Sequence, residues 1–274
     1  MTDIFLTIDD RRYRLVSHRG TDISLPLDFH GDQPAHFGAP PATAAPLHVG
    51  EFIGDTSQGG SCNCETLTLV PHCNGTHTES VGHLATPLLS VSQLAVEPLI
   101  PTLLVSVEDE PAGDCGEDAD PRPQPGDTMI TAAALSAAVQ RSGHRPQSGL
   151  VIRTLPNDPG KRARNYAVGA PPPYLSSQAA ELLVAWQVRH LLVDLPSIDR
   201  THDEGRLSGH RRFWGLAQGD SLAGQATRPE ATITEMVFAP DRLADGLYAM
   251  SLQIAPFVTD AAPSRPLLFP LEPA

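Results

Sequence analysis

A chain of 274 residues, 41% of them hydrophobic, can bury a core without disulfide staples, which excludes a small cross-linked scaffold. Its 19 Lys and Arg against 32 Asp and Glu leave a net charge of −13 that repels phosphate backbones and anionic lipid, so neither nucleic acid nor a membrane is an expected partner. No apolar run approaches the roughly 20 residues of a membrane-spanning helix, and Met1–Arg12 carries carboxylates where an export signal needs a basic and then an apolar stretch. The expectation is a soluble, cytoplasmic protein acting on a small molecule.

Twenty-seven prolines and 22 glycines break the chain unevenly. From Asp22 to Gly60, Leu-Pro-Leu, Gly-Asp-Gln-Pro and Ala-Pro-Pro-Ala-Thr predict short extended pieces and turns, with no helix. Glu65–Val70 alternates Thr with Leu, the period-two pattern of a half-buried strand. Val105–Asp127 gathers carboxylates among prolines and glycines and reads as a solvated acidic surface loop without the spacing of an EF-hand. Beyond it the pattern turns α/β. Thr131 is an N-cap candidate for a helix to Arg141, with Gly143 just past its end. Leu150–Leu155 reads as a strand, Gln178–Gln187 as a helix, and Val188–Asp194 as a strand buried on both faces. Thr232–Phe238 and Leu247–Pro256 supply two more strands, and the whole is expected to form one α/β domain over residues 1–274, with a mixed sheet and flanking helices.

Eleven histidines and four cysteines are an ample supply of metal ligands, and they concentrate in Pro71-His-Cys-Asn-Gly-Thr-His-Thr-Glu-Ser-Val-Gly-His83. Without a secretory context the cysteines are expected as thiols, and the Cys62/Cys64 spacing is not that of a zinc knuckle or a redox motif. On an extended backbone Cys73, Gly75, His77 and Glu79 share a face while His72 points away. Gly75 leaves room for an ion, and a bend there would let His72 replace or join Cys73. Thr76 is a candidate for orienting a ligand or a water. Glu235 shares a strand face with Ile233 and Val237, so a buried carboxylate there needs a metal or an arginine. Asp194 and Asp199 stand at the carboxyl end of a strand, where α/β sites gather, although capping the Pro-Ser turn explains either.

Gly-Thr-His-Thr-Glu-Ser-Val-Gly-His resembles the His-x-Gly-Thr-His-x-Asp-x-Pro-x-His signature of the cyclase family, which includes metal-dependent kynurenine formamidase and isatin hydrolase. The resemblance extends to Asp22-Ile-Ser-Leu-Pro-Leu, Asp194-Leu-Pro-Ser-Ile-Asp199 with the later His210, Thr232-Ile-Thr-Glu-Met-Val and Ala262-Pro-Ser-Arg265, and so covers most of the chain. It implies a swivelling β/β/α fold, one or two divalent ions held by Cys73, His77, Glu79, His210 and Glu235, and His83 as acid/base. It also implies a homodimer. Two positions depart from the family pattern: Cys73 stands where relatives carry histidine, with His72 one place early, and Glu79 replaces an aspartate. A thiolate ligand favours zinc, with manganese or nickel as the other candidates.

The expected activity is metal-dependent hydrolysis of a C–N amide bond, an arylformamidase converting N-formylkynurenine to kynurenine and formate fitting the resemblance best. Hydrolysis or closure of an isatin-like lactam or a lactone is the alternative within the same chemistry, and a non-catalytic metal- or metabolite-binding member is the alternative outside it. No Gly-x-Ser-x-Gly elbow offers a serine-hydrolase route. Arg265 is a candidate for gripping a substrate carboxylate or a plain surface arginine, and Gly215–Glu230 is a candidate cover for the site.

Overall fold

The computed structural model describes residues 3–95 and 97–274; Met1 and Thr2, which open the segment read for an export signal, lie outside the described residues. The strands that build the centre are β1 (Phe5–Ile8), β2 (Arg11–Leu15), β3 (His77–Glu79), β4 (Ile100–Glu108), β5 (Gly149–Leu155), β6 (His190–Val193), β7 (Thr232–Glu235), β8 (Gly246–Ile254) and β9 (Ala261–Pro273). Hydrogen bonding runs β9–β8–β4–β5–β6–β7–β3 and returns from β3 to β9, which closes a barrel of mixed direction. β4 to β7 are parallel neighbours and the remaining pairings are antiparallel. The β1–β2 hairpin extends the far end of β9.

Both faces of β4, β5 and β6 are covered, so they carry the apolar runs Leu103–Val105, Leu150–Ile152 and Leu191–Val193 rather than a strict alternation. Leu104, Val151, Leu192, Met250 and Leu268 fill the barrel. Leu103, Leu150, Ile152, Leu191, Val193 and Ile233 face outward against a helical layer. That layer consists of α2 (Ala132–Ser142), α3 (Ser177–Ala185) and α4 (Ser208–Trp214), which bury Leu135, Leu183, Phe213 and Trp214 against the strands. Helix α1 (Pro71–Asn74) is a single turn that leads into β3. Thr131 caps α2 through the Ala134 amide and Gly143 ends it in the left-handed region (φ 71°), as the sequence predicts.

Four expectations need correction. Glu65–Thr68 is a strand, but all four residues are exposed and pair only with Thr43–Pro46, so the Leu/Thr alternation lies in a surface ribbon rather than half-buried. Val105–Asp127 is not all solvated loop. Val105 and Val107 lie in β4 with 1% exposure or less, Glu110–Pro111 pairs with Met129 and Thr128, and buried Asp127 bonds Arg200 Nε at 2.6 Å. The acidic content masked these short pairings. His72 and Cys73 stand on the helical turn of α1, so the two-residue phase assumed for Cys73, His77 and Glu79 does not reach back past Gly75. Val237 packs inside the barrel while Ile233 faces the helices, because Met236 is left-handed (φ 55°) and breaks the alternation. Strand β9 was not anticipated: Pro263, Pro266, Pro270 and Pro273 obscure its pattern.

Candidate metal centre

The register of two strands starts the site. β3 runs antiparallel to β7 with His77 opposite Glu235 and Glu79 opposite Ile233, so His77, Glu79 and Glu235 project to the same outward face as Ile233. On the other side β3 pairs with β9, Pro263 standing opposite His77. Thr76 fixes the join: its hydroxyl donates to the Met236 carbonyl at 2.5 Å and accepts the Leu25 amide at 2.8 Å. It therefore ties the start of β3 to the end of β7 and to the Leu25 backbone.

The helical layer completes the set. Asp199 accepts the amides of Gly209 and His210 at the start of α4 and, at 2.6 Å, the Nδ1–H of the His210 ring. That leaves His210 Nε2 turned to Glu79 Oε1 at 2.9 Å and Glu235 Oε1 at 3.6 Å. His77 is set the same way, Nδ1–H donating to the Gly75 carbonyl at 2.9 Å and Nε2 lying 3.4 Å from Glu235 Oε2. A backbone carbonyl or carboxylate behind an imidazole is the usual means of aiming its second nitrogen at an ion. Glu235 Oε1 also accepts the Ile198 amide at 2.9 Å, and among the described residues no arginine pairs with it.

His72 belongs to this group. Its Nδ1 lies 3.2 Å from Glu79 Oε2 and its Nε2 2.8 Å from Asp260 Oδ2. The His83 ring stacks on it with centroids 4.2 Å apart, bonds the same Asp260 oxygen through Nδ1 at 3.0 Å, and holds Nε2 4.0 Å from Glu79 Oε2. One carboxylate thus orients both rings from behind. Among the described residues three sets of donors converge closely enough for an ion: His72 with His77 and Glu79, Glu79 with His210 and Glu235, and His72 with His83 and Asp260. The first two share Glu79.

Cys73 falls outside all three sets, although it is buried. The helical turn that brings His72 round is the reason, and with it goes the thiolate argument for zinc. Burial, then the nearby Glu235 charge, raises the Cys73 thiol above its ordinary pKa, which further disfavours the ligating form. Arg265 is also outside the cluster: its Nε donates to Asp22 at 2.6 Å from a side chain 68% exposed. Asp260 was missed in the sequence because it lies 188 residues from His72 and its own neighbourhood, Thr259-Asp-Ala-Ala, carries no ligand spacing.

The electrostatics match a site built for positive charge. Burial opposes ionisation of Glu79, yet the facing His210 and His83 hold its pKa well below the ordinary value. Glu235, also against burial, is drawn to about 2 by contacts with His210 and His77. Burial opposes the charged form of His72, but Asp260 and Glu79 raise its pKa to about 10; His210 is raised as well, chiefly by Glu79. The hydrogen-bond inventory is incomplete at the centre. Although His210 and His72 nitrogens stand 2.9 and 3.2 Å from Glu79, among the described residues His77 Nε2 and both buried Glu79 oxygens make no well-directed hydrogen bond. Such atoms cost about 1–3 kcal/mol or more each if nothing satisfies them, and a divalent ion among them would satisfy all three. The residues present fit such an ion, with imidazole and carboxylate as donors.

The sequence profile of the cyclase family, "Putative cyclase", matches residues 21–200. The chain belongs to that family. No curated protein matches its sequence. Among solved structures, a protein described as a potential metal-dependent hydrolase with cyclase activity is similar at TM-score 0.60 and 18% identity, over 93% of this chain and 99% of the other. Isatin hydrolase A from Ralstonia solanacearum gives 0.62 and 18% over 92% and 91%, and isatin hydrolase A from Labrenzia aggregata 0.62 and 14% over 93% and 94%. At these identities the likeness is one of fold.

Proposed function

We propose that this chain is a metal-dependent hydrolase of C–N amide bonds, with an aryl-formamide of the N-formylkynurenine type as substrate and an arylamine and formate as products. The observation that carries the reading is the convergence of unpartnered His77 and Glu79 atoms with His210, Glu235 and His72, beside a histidine held from behind by a carboxylate. His72, His77 and Glu79 in one set and Glu79, His210 and Glu235 in the other would hold one or two divalent ions, which would supply a water of lowered pKa and polarise the substrate carbonyl. Donors limited to imidazole and carboxylate accommodate manganese as well as zinc.

His83 does the proton work. Asp260 fixes its tautomer, with the proton on Nδ1, so Nε2 carries the lone pair on the side of Glu79. It takes a proton from the attacking water as the C–O bond forms and gives it to the departing nitrogen as the C–N bond breaks. An aniline nitrogen leaves more readily than an alkylamine, which suits a single base of this kind. Asp260 acts through His83 and His72 and is a positioning residue.

Opening of an isatin-like lactam is the second reading, favoured by the fold shared with two isatin hydrolases. The same base and ion serve it. Protein reconstituted in turn with zinc, manganese and nickel, and assayed on formanilides and on isatin, separates the two: turnover of formanilides is expected, turnover of isatin alone would move the assignment to the lactam, and turnover of neither by metal-loaded protein would overturn both.

A further inference from the structure

Outside the cluster, one acidic segment between β4 and α2 touches the start of each helix in the outer layer. Glu117 accepts the Ala132 and Ala133 amides at 2.9 and 3.2 Å at the head of α2, and the Ser176 hydroxyl at the head of α3. The Asp118 carbonyl accepts the Ser177 amide at 2.8 Å, and the Asp120 carbonyl accepts the Ser208 hydroxyl at 2.6 Å at the head of α4. The Asp120 carboxylate meets Arg206 at 2.9 Å on the surface, where such a pair is worth little. Asp127 reaches deepest. It is 5% exposed, and its Oδ2 accepts Arg200 Nε at 2.6 Å, the Gln124 amide at 2.9 Å and the Tyr174 hydroxyl at 3.2 Å.

These contacts lead to His210. Arg200 directly follows Asp199, the carboxylate that accepts the His210 ring Nδ1–H at 2.6 Å together with the Gly209 and His210 amides. From Arg200 the chain turns back through left-handed Glu204 (φ 59°) and Leu207 (φ 48°) before α4 begins. Asp127 grips the near end of this loop through Arg200, and the Asp120 carbonyl grips the far end through Ser208. Arg200 Nη1 also donates to the His202 carbonyl, which ties the guanidinium to the loop itself. A carboxylate aims an imidazole only while its own backbone is fixed, and a shift of about half an ångström changes how a metal ligand is presented.

Resting on the metal centre of the hydrolase reading, we propose that the buried Asp127–Arg200 ion pair positions the metal ligand His210, acting through Asp199. The test sets it against a second buried pair, Lys161 with Asp194 at 2.9 Å, whose side-chain hydrogen bonds stay among Thr154, Lys161 and Asp194. Cobalt(II) is titrated into chelator-stripped protein, its affinity read by competition with a chromogenic chelator and its surroundings by visible absorption. Binding needs no turnover, so protein that takes up cobalt and hydrolyses neither formanilides nor isatin refutes the hydrolase reading and leaves this comparison intact. Arg200→Met and Lys161→Met each strand a buried carboxylate and lower stability. Only Arg200→Met is expected to weaken cobalt binding, by about 10-fold, and to alter the absorption band. Arg200→Lys, which restores the charge, is expected to recover most of the affinity. Asp127→Asn is expected to lose affinity as well, and to lose less of it in an Asp199→Asn background, because both changes act on His210; that cycle carries the test if Arg200→Met does not fold. Affinity within about twofold of the parent in Arg200→Met, an equal loss in Lys161→Met, or full additivity of Asp127→Asn with Asp199→Asn would overturn the proposal.

Discussion

Two buried groups of charge occupy this protein, and they differ in whether their hydrogen bonds are complete. At the end of β5, Lys161 Nζ donates to Asp194 at 2.9 Å, to the Thr154 carbonyl at 2.7 Å and to the Thr154 hydroxyl at 2.6 Å, while Asp194 also accepts the Thr154 amide at 2.9 Å. All three ammonium donors have partners. At the metal centre Glu79 and His77 are fully buried among imidazoles and carboxylates, yet among the described residues neither Glu79 oxygen nor His77 Nε2 makes a well-directed hydrogen bond. Burial of charge is common to both; unsatisfied capacity belongs to one. The first arrangement ties a loop to the barrel, and the second leaves donor atoms able to coordinate an ion.

The comparison is broken most directly at His83. If the unsatisfied cluster is a catalytic centre, His83→Ala lowers kcat on formanilides by about 10²–10⁴-fold with metal content unchanged, and undiminished turnover would remove His83 from the mechanism. Lys161→Met strands the Asp194 carboxylate and is expected to cost about 3–5 kcal/mol in denaturant unfolding, whereas pairing it with Asp194→Leu recovers most of that loss. Neither variant is expected to change metal uptake, and a loss of metal in either would erase the distinction between the two groups.

Within the centre the effects grade further. His72→Ala and Asp260→Asn are expected to weaken metal binding by about 10–100-fold, read by competition with a chromogenic chelator. Cys73→Ser is expected to leave it within about twofold, and a larger loss would return the cysteine to the ligand set. The smallest effect is on pH. In chelator-stripped protein Glu235, depressed to about 2 from an ordinary 4.5, contributes stability that is complete above pH 4.5 and is lost as the pH falls through about 2. Urea midpoints should decline across that window, and Glu235→Gln should flatten the decline.

Much of this was legible in residue order. The signature around Thr76 located β3 and the centre, and Thr131 with Gly143 bounded α2, because caps and motifs are local features. Glu235 was legible as a carboxylate on an apolar strand. What escaped depended on partners far along the chain or on a change of local phase. Asp260 meets His72 and His83 only because β9 returns beside β3. Asp127 reads as one more exposed acid, and its burial against Arg200 is visible only once the helices are docked.

By itself the sequence determined the kind of chemistry available: an acidic chain with imidazoles and carboxylates gathered at Pro71–His83 and repeated at His210 and Glu235. The tertiary structure decided which of these donors meet. A helical turn at Pro71–Asn74 advances about 100° per residue where a strand advances 180°, and that difference brings His72 to Glu79 and leaves Cys73 aside. Residue identity fixes what a side chain can bind, while backbone geometry fixes where it points.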